Sequence, residues 1–208
     1  MFDIFTQEGI ISFLYVIPAL LIGLSVHEFA HAFVAYKLGD KSQKSMGRLT
    51  LDPFAHIDWL GFLSIALFKF GWAKPVYVND SNFKNRNRDN MLVALSGPLS
   101  NLVLAIITMF IVKILLVTGV GLNEISLNIL MAIVSLNVLL CVLNLLPLPP
   151  FDGSKVLLYF IPYKYKDIMY KLEAYSLYII IILLVTNVGS MIISPIANKI
   201  MALLLLII

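Results

Sequence analysis

Long apolar runs separated by short polar segments set the plan of this chain. The runs cover about residues 10–36, 91–117, 126–146, 173–188 and 190–208. A helix rising ~1.5 Å per residue needs ~20 residues to cross a ~30 Å hydrocarbon core, and the first three runs reach that length. The tail, interrupted at Asn187, Gly189, Ser190 and Pro195, reads either as two tight spans or as one span plus a surface segment, and we favour two. From Lys37 to Asn90 the pattern is polar or mixed. Residues 47–53, Gly-Arg-Leu-Thr-Leu-Asp-Pro, predict a short strand ended by a proline turn. Residues 73–79, Ala-Lys-Pro-Val-Tyr-Val-Asn, predict another, with Pro75 marking an edge position. Trp59 to Phe70 is apolar but only twelve residues long, so it predicts an interfacial or re-entrant segment. Asp89 or Asn90 is the expected N-cap of the second span. The predicted fold is an all-α polytopic membrane protein. It is one domain over residues 1–208, a bundle of about five spans with a small β-region between the first two core helices.

Composition supports this and excludes other classes. Of 208 residues 60% are hydrophobic and 13% charged, against roughly 45–50% and 25% in soluble domains, and the mean hydropathy is +0.93. The length leaves no room for a separate soluble domain of ordinary size. Residues 1–9 contain Asp3 and Glu8 and no basic residue, so the first run is expected to be retained rather than cleaved as a signal. The single Cys141 has no internal disulfide partner and reads as a packing residue. A net charge of +3 makes no case for a nucleic-acid partner; the basic residues report orientation instead. Nine of the fifteen Lys and Arg fall between Lys37 and Arg88 and four between Lys155 and Lys171, with none in residues 1–9 or 118–125. The positive-inside rule puts both basic segments in the cytoplasm and the N-terminus outside, as three intervening spans require.

Candidate chemistry sits late in the first span, at His27-Glu28-Phe29-Ala30-His31. On a helix the two imidazoles lie one turn apart on one face and can hold one ion, with Glu28 beside them to take a proton from a water the metal activates. Solvated histidines are the plain alternative, but everything from Ile10 to Val26 is apolar or small. A catalytic zinc has three protein ligands and one open position. The third ligand has four candidates: His56, Asp52, Asp58 and Asp152. His56 is the only other histidine. Asp152 has the better placement, because Pro147, Pro149 and Pro150 hold the chain extended there, at the same inward depth as the histidines. Capping the following helix is the competing role for Asp152.

Two further motifs follow in order. Gly97-Pro98-Leu99-Ser100-Asn101 lies in the second span, with Gly97 and Asn101 on one face. Asn144 to Gly153, Asn-Leu-Leu-Pro-Leu-Pro-Pro-Phe-Asp-Gly, closes the third. With His27 to His31 and the intervening Gly71-Trp72-Ala73-Lys74-Pro75-Val76, they resemble the site-2 protease family of membrane-embedded zinc metalloproteases. Phe151 departs from the leucine usual in that family before Asp-Gly, and no PDZ-like segment is evident, so the resemblance is to a minimal member. It implies that Zn²⁺ is held by His27, His31 and Asp152, that Glu28 is the general base, and that Asn101 lies near the site. Asn101 and His56 are the candidate contacts to substrate or to the oxyanion. The expected activity is endoproteolysis of a transmembrane segment of another membrane protein, in the bilayer and toward its cytoplasmic side. The reading from another class is a metal-binding membrane transporter or a non-catalytic scaffold. It is disfavoured because the candidate ligands cluster toward one side and the outer half of the first span is apolar.

Overall fold

The computed structural model describes residues 6–68, 71, 73–121 and 123–208. Its order is α1 (Gln7–Leu38), α2 (Ser42–Ser45), α3 (Pro53–His56), α4 (Trp59–Phe68), α5 (Arg86–Thr118), α6 (Glu124–Asn144), α7 (Asp152–Phe160), α8 (Lys166–Ala174), α9 (Ser176–Val185) and α10 (Val188–Leu205). Among the described residues, four segments are long and apolar enough to cross a membrane: Gly9–Leu38, Arg86–Thr118, Glu124–Asn144 and Val188–Leu205. The chain is a multi-pass membrane protein.

Helices α1, α5 and α6 pack together as the central bundle. Lipid is as apolar as a leucine side chain, so association here depends on close approach and interhelical hydrogen bonds. The sequence supplies both. Ala19, Ala32 and Ala35 of α1 and Ala105 of α5 are fully buried between helices. Asn101 of α5 donates to Asn137 of α6 at 2.7 Å and to the Gly23 carbonyl of α1 at 2.9 Å, tying all three together. Farther along, Ala105 and Met109 of α5, Val134, Val138 and Val142 of α6 and Leu204 of α10 form the largest apolar cluster, which docks α10 on the bundle. Most remaining large apolar side chains are exposed, as lipid-facing residues are.

Three sequence expectations need correction. Neither 47–53 nor 73–79 is a strand. Among the described residues the pairing there is one isolated antiparallel bridge, Ile57 to Ala73. Local side chains take the backbone bonds that a ladder would use. Thr50 Oγ1 accepts from the Asp52 N–H, Asp52 caps α3 by accepting from the Phe54 N–H, and His56 Nε2 lies 2.8 Å from the Thr50 carbonyl. Residues 73–79 are extended, but their bonds run to the side chains of Glu28, Asp40 and Gln43. The expected span at 173–188 is also absent. Helix α9 has ten residues, which at ~1.5 Å per residue is half a bilayer. Thr186 ends it, and Asn187 turns the chain at φ 56°, in the left-handed region that asparagine tolerates. Finally, α5 begins at Arg86, not near residue 90. Asn85 accepts from the Arg88 N–H at 3.2 Å while Asp89 accepts from the Asn85 N–H at 3.0 Å, a reciprocal cap.

Residues 59–68 of the twelve-residue apolar segment form the short α4, with Trp59, Leu60 and Leu63 exposed. Lys69, Phe70 and Trp72 lie outside the described residues.

Candidate metal centre

His27 and His31 occupy successive turns of α1 and are buried against α5. Each ring is oriented through Nδ1. His31 Nδ1 lies 2.7 Å from the Val93 carbonyl, which can only accept, so that nitrogen carries the hydrogen. His27 Nδ1 lies 2.7 Å from Asn101 Oδ1. The Asn101 amide is assigned by its other bonds: its nitrogen donates to two oxygens, of Gly23 and Asn137, so its oxygen faces His27. Both histidines therefore turn Nε2 lone pairs inward. The two Nε2 atoms are 3.0 Å apart.

Asp152 completes the convergence. It is the first residue of α7, and Phe151 occupies the N-cap position, so its carboxylate is not spent on capping. Asp152 Oδ2 lies 3.0 Å from His31 Nε2 and 3.2 Å from His27 Nε2. With both Nδ1 hydrogens spent on α5, three ligand atoms meet with no donor among them. Only protons or a cation relieve that repulsion. Tetrahedral zinc with bonds of ~2.0–2.2 Å sets its ligand atoms ~3.3 Å apart, close to the observed spacings. The donor set, two neutral imidazoles and one carboxylate, suits zinc.

His27, His31 and Asp152 line a cavity of about 500 Å³ together with Glu28 and residues 75–78. Glu28 points into the same space, and its Oε2 accepts from the Val76 N–H at 3.1 Å. Asn144 and Glu173 also line it.

The other candidates do not join the cluster. Among the described residues, the His, Cys, Asp and Glu group able to share one ion is His27, His31 and Asp152. Asp52 caps α3 and Asp58 accepts from the Gly61 N–H at 2.9 Å. His56 is fully buried on α3 and is bonded to Thr50; it is not part of the cavity lining. Asn101 is likewise fully buried with its amide engaged, so it orients His27 rather than facing a substrate. Two contributors had no readable signal, because they are backbone groups: the Val93 carbonyl behind His31 and the Val76 N–H on Glu28. Replacing Asp152 by Ala is expected to collapse zinc stoichiometry, while His56→Ala leaves it unchanged per folded chain. Metal analysis of the two purified variants decides the third ligand, and the reverse outcome would overturn the assignment.

Comparison with known proteins gives the family. Residues 15–124 and 117–187 match the model of peptidase family M50. The chain is 37% identical over 188 residues to a Bacillus subtilis (strain 168) protein named "Putative zinc metalloprotease YwhC", covering 88% of this chain and 86% of that one. Proteins named "Putative zinc metalloprotease Rip2" also match. The one from Mycolicibacterium smegmatis is 32% identical over 146 residues, 68% of this chain and 55% of its own. The one from Mycobacterium tuberculosis (strain ATCC 25618 / H37Rv) is 36% identical over 158 residues, 70% and 56% of the respective chains. No solved structure matches.

Proposed function

Because this chain belongs to peptidase family M50 and is a membrane zinc metalloprotease, we propose that it is an endopeptidase that cuts the transmembrane segment of another membrane protein. The reading takes the whole chain as one membrane-embedded domain, with His27, His31 and Asp152 as the zinc ligands and Glu28 as the general base. The observation that carries it is the convergence of two imidazole lone pairs and a carboxylate on a cavity that also holds the Glu28 carboxylate.

Zinc held there supplies a Lewis acid and lowers the pKa of a bound water toward ~7. The residues do the rest. Glu28 takes the proton of the attacking water and returns it to the leaving amine. The Val76 N–H on Oε2 fixes which carboxylate oxygen is engaged and leaves the other toward the cavity. His27 and His31 stay oriented through Asn101 and Val93, which costs no reorganisation during the reaction.

A helical substrate hides its carbonyls in hydrogen bonds, so the scissile stretch must be extended. Residues 75–78 are extended and border the cavity. They offer an edge along which an unwound segment can pair, with main-chain bonds giving affinity. The cavity faces the cytoplasmic side in this reading, where water reaches it; the basic residues between Lys37 and Arg88 and between Lys155 and Lys171 support that orientation. Short apolar α4 then lies at or dips into the membrane surface, with Trp59 as an interfacial anchor.

The test is reconstitution of the zinc-loaded chain in vesicles with a single-span test protein. Cleavage within or beside the span, with no zinc flux across the vesicle wall, is expected. Zinc flux without cleavage would replace this reading with that of a transporter.

A further inference from the structure

A second buried carboxylate takes no part in the metal centre. Asp40 follows directly on the end of α1 and is fully buried. Five donors converge on it. Oδ1 accepts from the Ser42 N–H at 3.1 Å, the Ser42 hydroxyl at 2.6 Å and Asn82 Nδ2 at 3.0 Å. Oδ2 accepts from Gln43 Nε2 at 2.9 Å and the Asn79 N–H at 2.9 Å. Gln43, itself fully buried, also donates to the Tyr77 carbonyl at 2.8 Å. Gly39 lets the two segments approach: a Cβ there would lie 2.8 Å from the Asn82 carbonyl oxygen, and its φ is 121°.

These bonds have a direction. They hold residues 77, 79 and 82 against the end of α1. Upstream, the Lys74 N–H is held by the His56 carbonyl at 2.9 Å. Between the two anchors lies Val76, whose N–H reaches Glu28. The extended segment that borders the cavity is therefore pinned at both ends, and the downstream pin is one carboxylate.

We infer that Asp40 is a positioning residue, an ionised hub that holds the cavity-lining segment 75–79 in place so that the Val76 N–H stays on Glu28. Five donors and no acceptor demand an anion. Burial pushes the carboxyl up, but bonds from Ser42, Asn79, Gln43 and Asn82 outweigh it and hold it at about 2. Asparagine is therefore not a conservative replacement. Its NH₂ would face either the Ser42 or the Asn79 backbone N–H, neither of which can turn away. Rotating the Gln43 amide to compensate would set its oxygen against the Tyr77 carbonyl.

The consequence for catalysis rests on the role proposed for Glu28, but the direct test does not. Hydrogen exchange is followed on the full zinc-loaded chain in nanodiscs, comparing wild type with Asp40→Asn. Exchange over residues 75–82 is expected to quicken at least tenfold, on the order of one lost buried hydrogen bond. Exchange over α1 and α5, and zinc content, are expected to stay unchanged. Unaltered exchange over 75–82 would overturn the inference. So would a rise spread equally over α1 and α5, which would make Asp40 a residue of the whole fold. The second arm is kinetic. Asp40→Asn and Val76→Pro, which removes the N–H on Glu28, are each expected to lower kcat about tenfold, and the double variant little further. Losses that multiply would mean the two act separately and would overturn the link. If Glu28→Gln cleaved at the wild-type rate, the role of Glu28 would fall while the exchange result stood.

Discussion

Replacing Gly97 by Ala is expected to strip zinc from the protein while leaving its helices intact. A Cβ at position 97 would lie 2.6 Å from Cε1 of both His27 and His31, and closer still to His31 Nε2. Neither ring can step aside, because each Nδ1 is tethered to α5 itself, through Asn101 and Val93. Nor can the helices separate cheaply. Ala32 and Ala35 are fully buried on α1 and Ala94 nearly so on α5, and the Asn101 bond to Gly23 spans the same interface. Inserting one methyl into a packed core ordinarily costs ~1–3 kcal/mol. Here the strain falls on two of the three clustered side chains at once, so zinc affinity should drop on the order of a hundredfold or more. Competition with a chelator reads this, with circular dichroism confirming helix content. Wild-type zinc affinity in Gly97→Ala would mean that α5 does not press on the histidines as described.

Different parts of this arrangement were legible to different degrees. The membrane helices were readable because a long apolar run carries its own length test, and α1, α5, α6 and α10 answer to it. The break near Asn187 was readable in the tail, but the length of the helix before it was not: α8 ends at Ala174 and α9 runs only ten residues before the turn. Residues 73–79 have the alternation of a strand and are extended, but which groups accept their hydrogen bonds is a tertiary matter. Asp40 and Glu28, twelve residues apart on and just beyond α1, take the place of a neighbouring strand.

The site divides in the same way. His27, Glu28 and His31 are local, so helical spacing alone puts them on one face. Asp152 is 121 residues from His31, and only orientation and the proline-held turn suggested a common depth. The motif face of α5 was visible in Gly97 and Asn101. Its function was not, because a fully buried Asn reads alike whether it faces a substrate or an imidazole; the bond to His27 Nδ1 decides. His56 attracted attention as the remaining histidine, yet its ring serves the loop that carries α3.

The central claim is that Glu28 moves the proton. Glutamine at position 28 keeps the shape and can still accept the Val76 N–H through its oxygen, and Glu28 is not one of the three clustered residues. It cannot take a proton from water. Loss of a positioned general acid–base group typically costs ~10²–10⁴ in rate. The deciding measurement is cleavage of a single-span membrane substrate by Glu28→Gln, with zinc determined on the same preparation. Zinc retained at the wild-type level with cleavage reduced at least a hundredfold is the predicted result. Zinc retained with cleavage at the wild-type rate would contradict it.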